Sequence, residues 1–407
     1  MSPLAFRDFR LFWAAVFTLS LAAQMAAVAI GWQVYEISGR ALDLGLIGLF
    51  EFLPLPLLAL PAGQLADRVS RRLLYATSAA IYIAVLGGLL AITLAEVRAT
   101  WPYFALAFLT GIAWALGWPA SRALSPSLVP GELLPRAMAQ YSAAWQIASV
   151  AGPALGGLLF VVGPSLTYAT AIVLTAVAFG SVLAIRDRGA ALVSTATPTL
   201  RELLAGVALV RRTPVLLGAI SLDLFAVLFG GAVALLPVFA KDILEVGPVG
   251  LGALRSAPAV GALIAALVLA RRPLAGNVGR ILLMAVGAFG VSMVVFGLSR
   301  SFALSLAALV FGGGTDMVSV VLRATILPLV TPDELLGRAN AVEMVFISAS
   351  NELGAFESGA AAALVGVVPA VVIGGCATIV IALLWGRVFP SLARVDRLED
   401  LRPARPG

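Results

Sequence analysis

The sequence predicts an all-α polytopic membrane protein, with twelve transmembrane helices in two six-helix bundles related by a pseudo-two-fold axis. Three observations predict it. Hydrophobic residues make up 61% of the chain and charged residues only 12%, against about 25% charge in a soluble domain. So little charge cannot cover a water-facing surface, and most of the surface must face lipid. Apolar runs of span length recur from end to end. Two stretches about 200 residues apart also resemble each other.

A spanning helix needs about 20 mostly apolar residues. Twelve runs qualify: 11–35, 44–66, 73–95, 101–124, 137–162, 165–185, 214–240, 249–270, 280–299, 302–326, 338–366 and 368–387. The first follows Met1–Arg10, which lacks the short apolar core and small-residue site of a cleavable leader. It reads as a mature span.

Arginine orients the chain. With the N-terminus in the cytoplasm, the cytoplasmic segments hold Arg7, Arg10, Arg68, Arg71, Arg72, Arg136, Arg186, Arg188, Arg201, Arg211, Arg212, Arg271, Arg272, Arg280, Arg338 and the arginines from 387 onward. The opposite side holds Arg40, Arg98, Lys241 and Arg300. This asymmetry is what the positive-inside rule expects. It explains the net charge of +6 without nucleic acid. Both termini are expected in the cytoplasm, with the chain in a bacterial inner membrane.

The longest polar stretch divides six spans from six. The expected organisation is an N-terminal bundle over 1–186, a cytoplasmic linker over 187–213, a C-terminal bundle over 214–390 and a polar, frayed tail over 391–407. Within the linker, Leu200 to Arg212 is amphipathic and suits the membrane surface.

The halves repeat in detail. Arg122 ends span four and precedes Leu128-Val129-Pro130-Gly131-Glu132. Arg323 ends span ten and precedes Leu329-Val330-Thr331-Pro332-Asp333-Glu334. Gly152 and Gly157 of span five match Gly354 and Gly359 of span eleven. Such a parallel repeat places a substrate site between bundles, near the midplane.

The composition excludes several chemistries. There is no histidine, and Cys376 is the one cysteine. No metal, haem or other cofactor is expected. No Gly-x-x-x-x-Gly-Lys phosphate loop and no nucleophile–base set appear, so neither an ATPase nor another enzyme is expected.

The loop after span two reads Gly63-Gln64-Leu65-Ala66-Asp67-Arg68-Val69-Ser70-Arg71-Arg72. It resembles the loop 2–3 signature of the major facilitator superfamily. That resemblance makes Gly63, Asp67, Arg68, Arg71 and Arg72 a latch between the halves. Plain anchoring of arginines at the cytoplasmic face is the simpler alternative. Span five carries Gly152-Pro153-Ala154-Leu155-Gly156-Gly157, which resembles the span-five motif of exporters in that superfamily. Small-residue helix packing would account for the same residues. The block Gly312 to Ser319, with Arg323, Thr331-Pro332-Asp333-Glu334, Gly337-Arg338-Ala339 and Asn351-Glu352-Leu353-Gly354, resembles the enterobactin-exporter-like (transmembrane secretion effector) branch. The resemblance implies the fold of that superfamily and substrate/proton antiport. The implied substrates are hydrophobic or amphipathic small molecules, drug-like or siderophore-like.

Carboxylates inside spans are costly and need a reason. Asp223 lies in span seven, Asp316 in span ten, Glu352 and Glu357 in span eleven and Glu51 in span two, with Arg255 inside span eight. Spans seven and ten line the cavity of a twelve-helix permease, so Asp223 and Asp316 become candidates for proton coupling. Replacing either by asparagine is expected to abolish coupling with folding intact. Static pairing, such as Arg255 with a glutamate of span eleven, is the alternative. Arg122 and Arg323 are gating candidates that could instead pair with Glu132 and Glu334. Trp32, Trp114, Trp118 and Trp145 could stack a flat substrate, and Trp145 with Gln146 are the foremost cavity candidates. Expected partners are a small-molecule substrate, protons and membrane lipids, with no nucleic acid and a monomeric chain. An importer or facilitator of a small nutrient, or a lipid flippase, would use the same fold.

Overall fold

A computed structural model describes residues 2–58, 70–186, 207–272 and 276–401. Twelve long helices follow in order, with no strand among the described residues. They are α1 (Arg7–Ser38), α2 (Ala41–Phe52), α3 (Arg71–Leu94), α4 (Trp101–Leu124), α5 (Leu134–Val162) and α6 (Pro164–Ala184). The others are α7 (Pro214–Gly230), α8 (Gly247–Arg271), α9 (Val278–Leu298), α10 (Phe302–Val330), α11 (Asp333–Val365) and α12 (Val367–Val388).

Eleven of these are long and apolar enough to cross a membrane, four of them counted with adjoining short turns, as Ala41–Leu58, Trp101–Leu128, Gly131–Val162 and Pro214–Ile243. The exception is α11. It has 33 residues, roughly 50 Å at 1.5 Å per residue, more than a bilayer core needs. Its polarity comes from Asp333, Glu334, Arg338 and Glu343 near one end and Glu352 and Glu357 further along.

The chain forms two compact units. One comprises Met1–Thr197 with Glu245–Ser256; the other comprises Pro198–Leu244 with Ala257–Gly407. The start of α8 thus groups with the first six helices. In the first unit, small residues bring α5 against α1: a Cβ at Gly156 would lie 2.8 Å from the Met25 carbonyl oxygen, and one at Gly152 2.5 Å from Gln24 Cβ. Real Cβ atoms do not approach so closely, so only glycine admits this packing. Gly157 faces Pro248 and Gly252 at the start of α8, where Ser256 Oγ donates to the Val150 carbonyl at 2.7 Å. In the second unit, Gly354 of α11 sits 2.9 Å, measured to its would-be Cβ, from the Val227 carbonyl of α7. One repeated glycine therefore serves the same helix pairing in each unit, Gly152 of α5 on α1 and Gly354 of α11 on α7.

Two expectations are corrected. Span seven, read as continuous over 214–240, breaks after Gly230. A 3-10 turn (Ala232–Leu235), three α-helical residues (Leu236–Val238) and a π-helical turn (Phe239–Ile243) follow. Gly231 leaves helical geometry (ψ 69°), and Pro237 cannot donate to the preceding turn. The freed Gly231 carbonyl accepts from Ser358 Oγ of α11 at 3.0 Å, which satisfies it away from water. The tail, read as frayed, is folded to residue 401. A short helix (Pro390–Ala393) and a 3-10 turn (Leu398–Asp400) pack on the second unit. Leu392 and Val395 are buried, and they share a cluster with Val210, Val278, Leu282 and Ile326. The tail also caps α9. The Val278 and Gly279 amides donate to the carbonyls of Asp396 and Val395, and the Asn277 amide donates to Asp396 Oδ1 at 2.8 Å. These satisfy donors that a helix start leaves open, and the Asp396 carboxylate suits the positive end of the helix dipole.

Candidate functional site

Two arrangements, one in each unit, carry the polar chemistry. In the second unit, Asp223 is the tenth residue of α7, surrounded by the apolar run Leu216 to Leu228. Its Oδ1 meets Arg323 Nη2 of α10 at 2.7 Å, with the two side chains 8% and 6% exposed. Arg323 Nε also lies 3.4 Å from Ser319 Oγ, one turn earlier. Asp316, Ser319 and Arg323 stand at i, i+3 and i+7, one face of a helix. Asp316 interacts electrostatically with both Asp223 and Arg323. The three groups hold two carboxylates and one guanidinium, so a single proton makes them neutral as a set.

In the first unit, Trp114 of α4 donates its indole N–H to Glu51 Oε1 of α2 at 3.0 Å, and its ring tilts against Tyr82 at 5.1 Å. Arg255, in the part of α8 that belongs to this unit, acts electrostatically on Glu51. A small cleft of about 30 Å³ lies beside Trp114, lined also by Tyr75, Trp118, Tyr141 and Trp145. Among the described residues, no group of three or more His, Cys, Asp or Glu side chains could hold a metal.

The whole chain matches one protein family, described as transmembrane secretion effector, over residues 1–403. The chain belongs to that family of the major facilitator superfamily. Macrolide efflux protein A of Streptococcus pyogenes is 26% identical over 406 residues, covering 95% of this chain and 96% of that protein. The enterobactin exporter EntS of Shigella boydii is 28% identical over 284 residues, covering 69% and 67% respectively. Among solved structures, the nucleoside transporter NupG superposes with a TM-score of 0.72 over 94% of this chain and 99% of that one, at 14% identity. That likeness speaks for the fold. The protein is a multi-pass membrane transporter of this superfamily and not an enzyme.

The other predicted residues distribute as follows. Gly63, Asp67 and Arg68 lie outside the described residues. Arg71 donates to the Ala123 carbonyl at 3.0 Å and Arg72 to the Leu183 carbonyl at 2.6 Å. Each satisfies a carbonyl at the C-terminus of a helix, α4 and α6, where a cation is favoured. Arg122 and Arg323 are not equivalent, contrary to the repeat. Arg122 is exposed in the last turn of α4, whereas Arg323 is buried two turns before the end of α10. The sequence-based span ended at 326 because a charge reads as a boundary. Arg323 pairs with Asp223; the pairing expected with Glu334 falls on a side chain outside the described residues. Glu352 and Glu357 are half-buried on α11. Trp145 lines the aromatic cleft but Gln146 is not among its lining residues. Trp32 is buried against Phe160 and belongs to the core. Sequence reasoning missed the hydroxyl Ser319. Its signal was available as the spacing Asp316-x-x-Ser319-x-x-x-Arg323, a polar stripe in an otherwise apolar helix.

Proposed function

We propose that this transporter is a proton-coupled exporter of hydrophobic or amphipathic small molecules that works by alternating access. The observation that carries the coupling is the buried pair Asp223 and Arg323 with the half-buried Asp316 beside it, one carboxylate in excess. Arg323 holds Asp223 as a fixed ion, and Asp316 is the proton acceptor. The printed names of two relatives, a macrolide efflux protein and an enterobactin exporter, support outward transport. So does the glycine-proline motif of α5, packed between α1 and α8. The arginine asymmetry supports cytoplasmic termini in a bacterial inner membrane.

The test is reconstitution in proteoliposomes with an imposed pH gradient. Fluorescent hydrophobic compounds of neutral, cationic and anionic charge serve as probes. Uphill movement that collapses with an uncoupler and disappears in Asp316→Asn is expected. Unchanged pH-driven transport in Asp316→Asn and Asp223→Asn would remove the coupling assignment. Probe movement that runs only downhill would mark a facilitator. Orientation is tested by replacing Cys376 with alanine and labelling Arg40→Cys and Arg272→Cys from either side; labelling of position 40 only from outside is expected.

A further inference from the structure

Three arginines meet at one end of the second unit. Arg280 stands in the first turn of α9, where the helix dipole presents its positive end and disfavours a cation. Arg387 stands in the last turn of α12. These two helices pack side by side in opposite directions. A Cβ at Gly386 would lie 3.3 Å from Leu283 Cδ1, and one at Gly290 2.8 Å from the Gly375 carbonyl oxygen. That register puts positions 280 and 387 within about one helical turn of each other along the pair. The docked tail brings the third. The Gly279 amide donates to the Val395 carbonyl at 2.9 Å, so Arg280 and Arg394 each adjoin a residue of that bond. All three arginines are exposed, and none has an ion-pair partner among the described residues. The carboxylate nearest them in the tail, Asp396, accepts from the Asn277 amide instead.

We propose that this edge binds an anionic glycerophospholipid, with the phosphate on Arg280, Arg387 and Arg394 and the acyl chains along the seam between α9 and α12. The chemistry of the head fits, because guanidinium groups match phosphate oxygens in pairs. A phosphate also relieves the charge that Arg280 adds to the positive end of α9. The level fits, because the apolar runs of α9 and α12 stop at this end, where headgroups lie. The wall below fits as well. Met284 and Val291 of α9 and Val380 and Leu383 of α12 are exposed, a surface suited to acyl chains and useless to a soluble anion. Nor does Arg394 trail in solvent. Its neighbours Leu392 and Val395 are buried in the core of the unit, which fixes the tail before any lipid arrives and lowers the cost of binding. The site stands whichever way the substrate is moved.

Phosphatidylglycerol and phosphatidylcholine with identical acyl chains are titrated against the purified full chain in detergent, and native mass spectrometry counts the bound lipid. Phosphatidylglycerol should bind on the order of a hundredfold tighter, since each arginine at a lipid surface is worth about fivefold. Each of Arg280→Gln, Arg387→Gln and Arg394→Gln should weaken it about fivefold, and the triple variant should bring it to the level of phosphatidylcholine. The matched triple Arg10→Gln/Arg136→Gln/Arg186→Gln removes the same charge from exposed positions of the first unit and should leave the preference intact. Equal affinity for the two lipids overturns the proposal, as does a triple variant at 280, 387 and 394 that keeps the preference. Equal loss in the first-unit triple also overturns it, because the attraction would then be a diffuse field of positive charge. Displacement of the lipid by an equal concentration of inorganic phosphate would overturn it in favour of a soluble anion. If the triple variant does not fold by circular dichroism, the three single variants carry the test.

Discussion

Replacing Asp223 by asparagine removes one partner of an ion pair whose two side chains are more than nine-tenths buried. Breaking a buried pair from one side costs about 3–5 kcal/mol, because the remaining charge stays desolvated. Asparagine can still accept one hydrogen bond from Arg323, which returns about 1 kcal/mol. The net loss is then about 2–4 kcal/mol. For a unit of this size each kcal/mol lowers the midpoint by about 2–4 °C, so Asp223→Asn should melt roughly 5–15 °C below the parent. The double variant Asp223→Leu/Arg323→Met removes both charges and should recover most of that loss. Thermal unfolding in detergent, followed by tryptophan fluorescence, reads all three proteins. A midpoint for Asp223→Asn within about 2 °C of the parent would refute the reasoning, as would a double variant as unstable as the two single changes summed. The ion pair therefore attaches a stability cost to this exchange beside the loss of coupling.

Asp316→Asn should melt close to the parent yet lose pH-driven efflux in proteoliposomes, the split that separates a proton acceptor from a structural ion. Gly156→Val, which would press a side chain onto the Met25 backbone, should cost about 1–3 kcal/mol by overpacking; a midpoint equal to the parent's would contradict the α5–α1 contact. Leu392→Ala should lose about 2–5 kcal/mol, as for other fully buried leucines. Hydrogen exchange at the amides of Val278 and Gly279 should rise in the same variant, and unchanged protection there would show that the tail is not their cap.

Much of this architecture was legible in the residues. Runs of apolar residues located the helices, because a bilayer demands about 20 such residues per crossing. Of the glycines shared by the two halves, Gly152 and Gly354 stand at a close helix contact in each unit. What hydropathy hid were the places where polar groups satisfy one another at long range. Arg323 reads as a helix end only while its partner, a hundred residues away on α7, is unknown. The tail reads as frayed by composition, yet Leu392, Val395, Leu398 and Leu401 recur every three residues, and that spacing was the overlooked signal of docking. Trp32 and Trp145 look alike in sequence. Only the packing around them separates a core residue from a cleft wall.

The docked tail also sets a timetable. The start of α9 and the carboxylate that caps it are 119 residues apart in the chain. At about 5–20 residues per second, roughly 6–24 s pass on the ribosome between making the one and making the other. For that interval the first turn of α9 has its amides open to water or to a chaperone. The second unit can close that end only after the tail residues have been made.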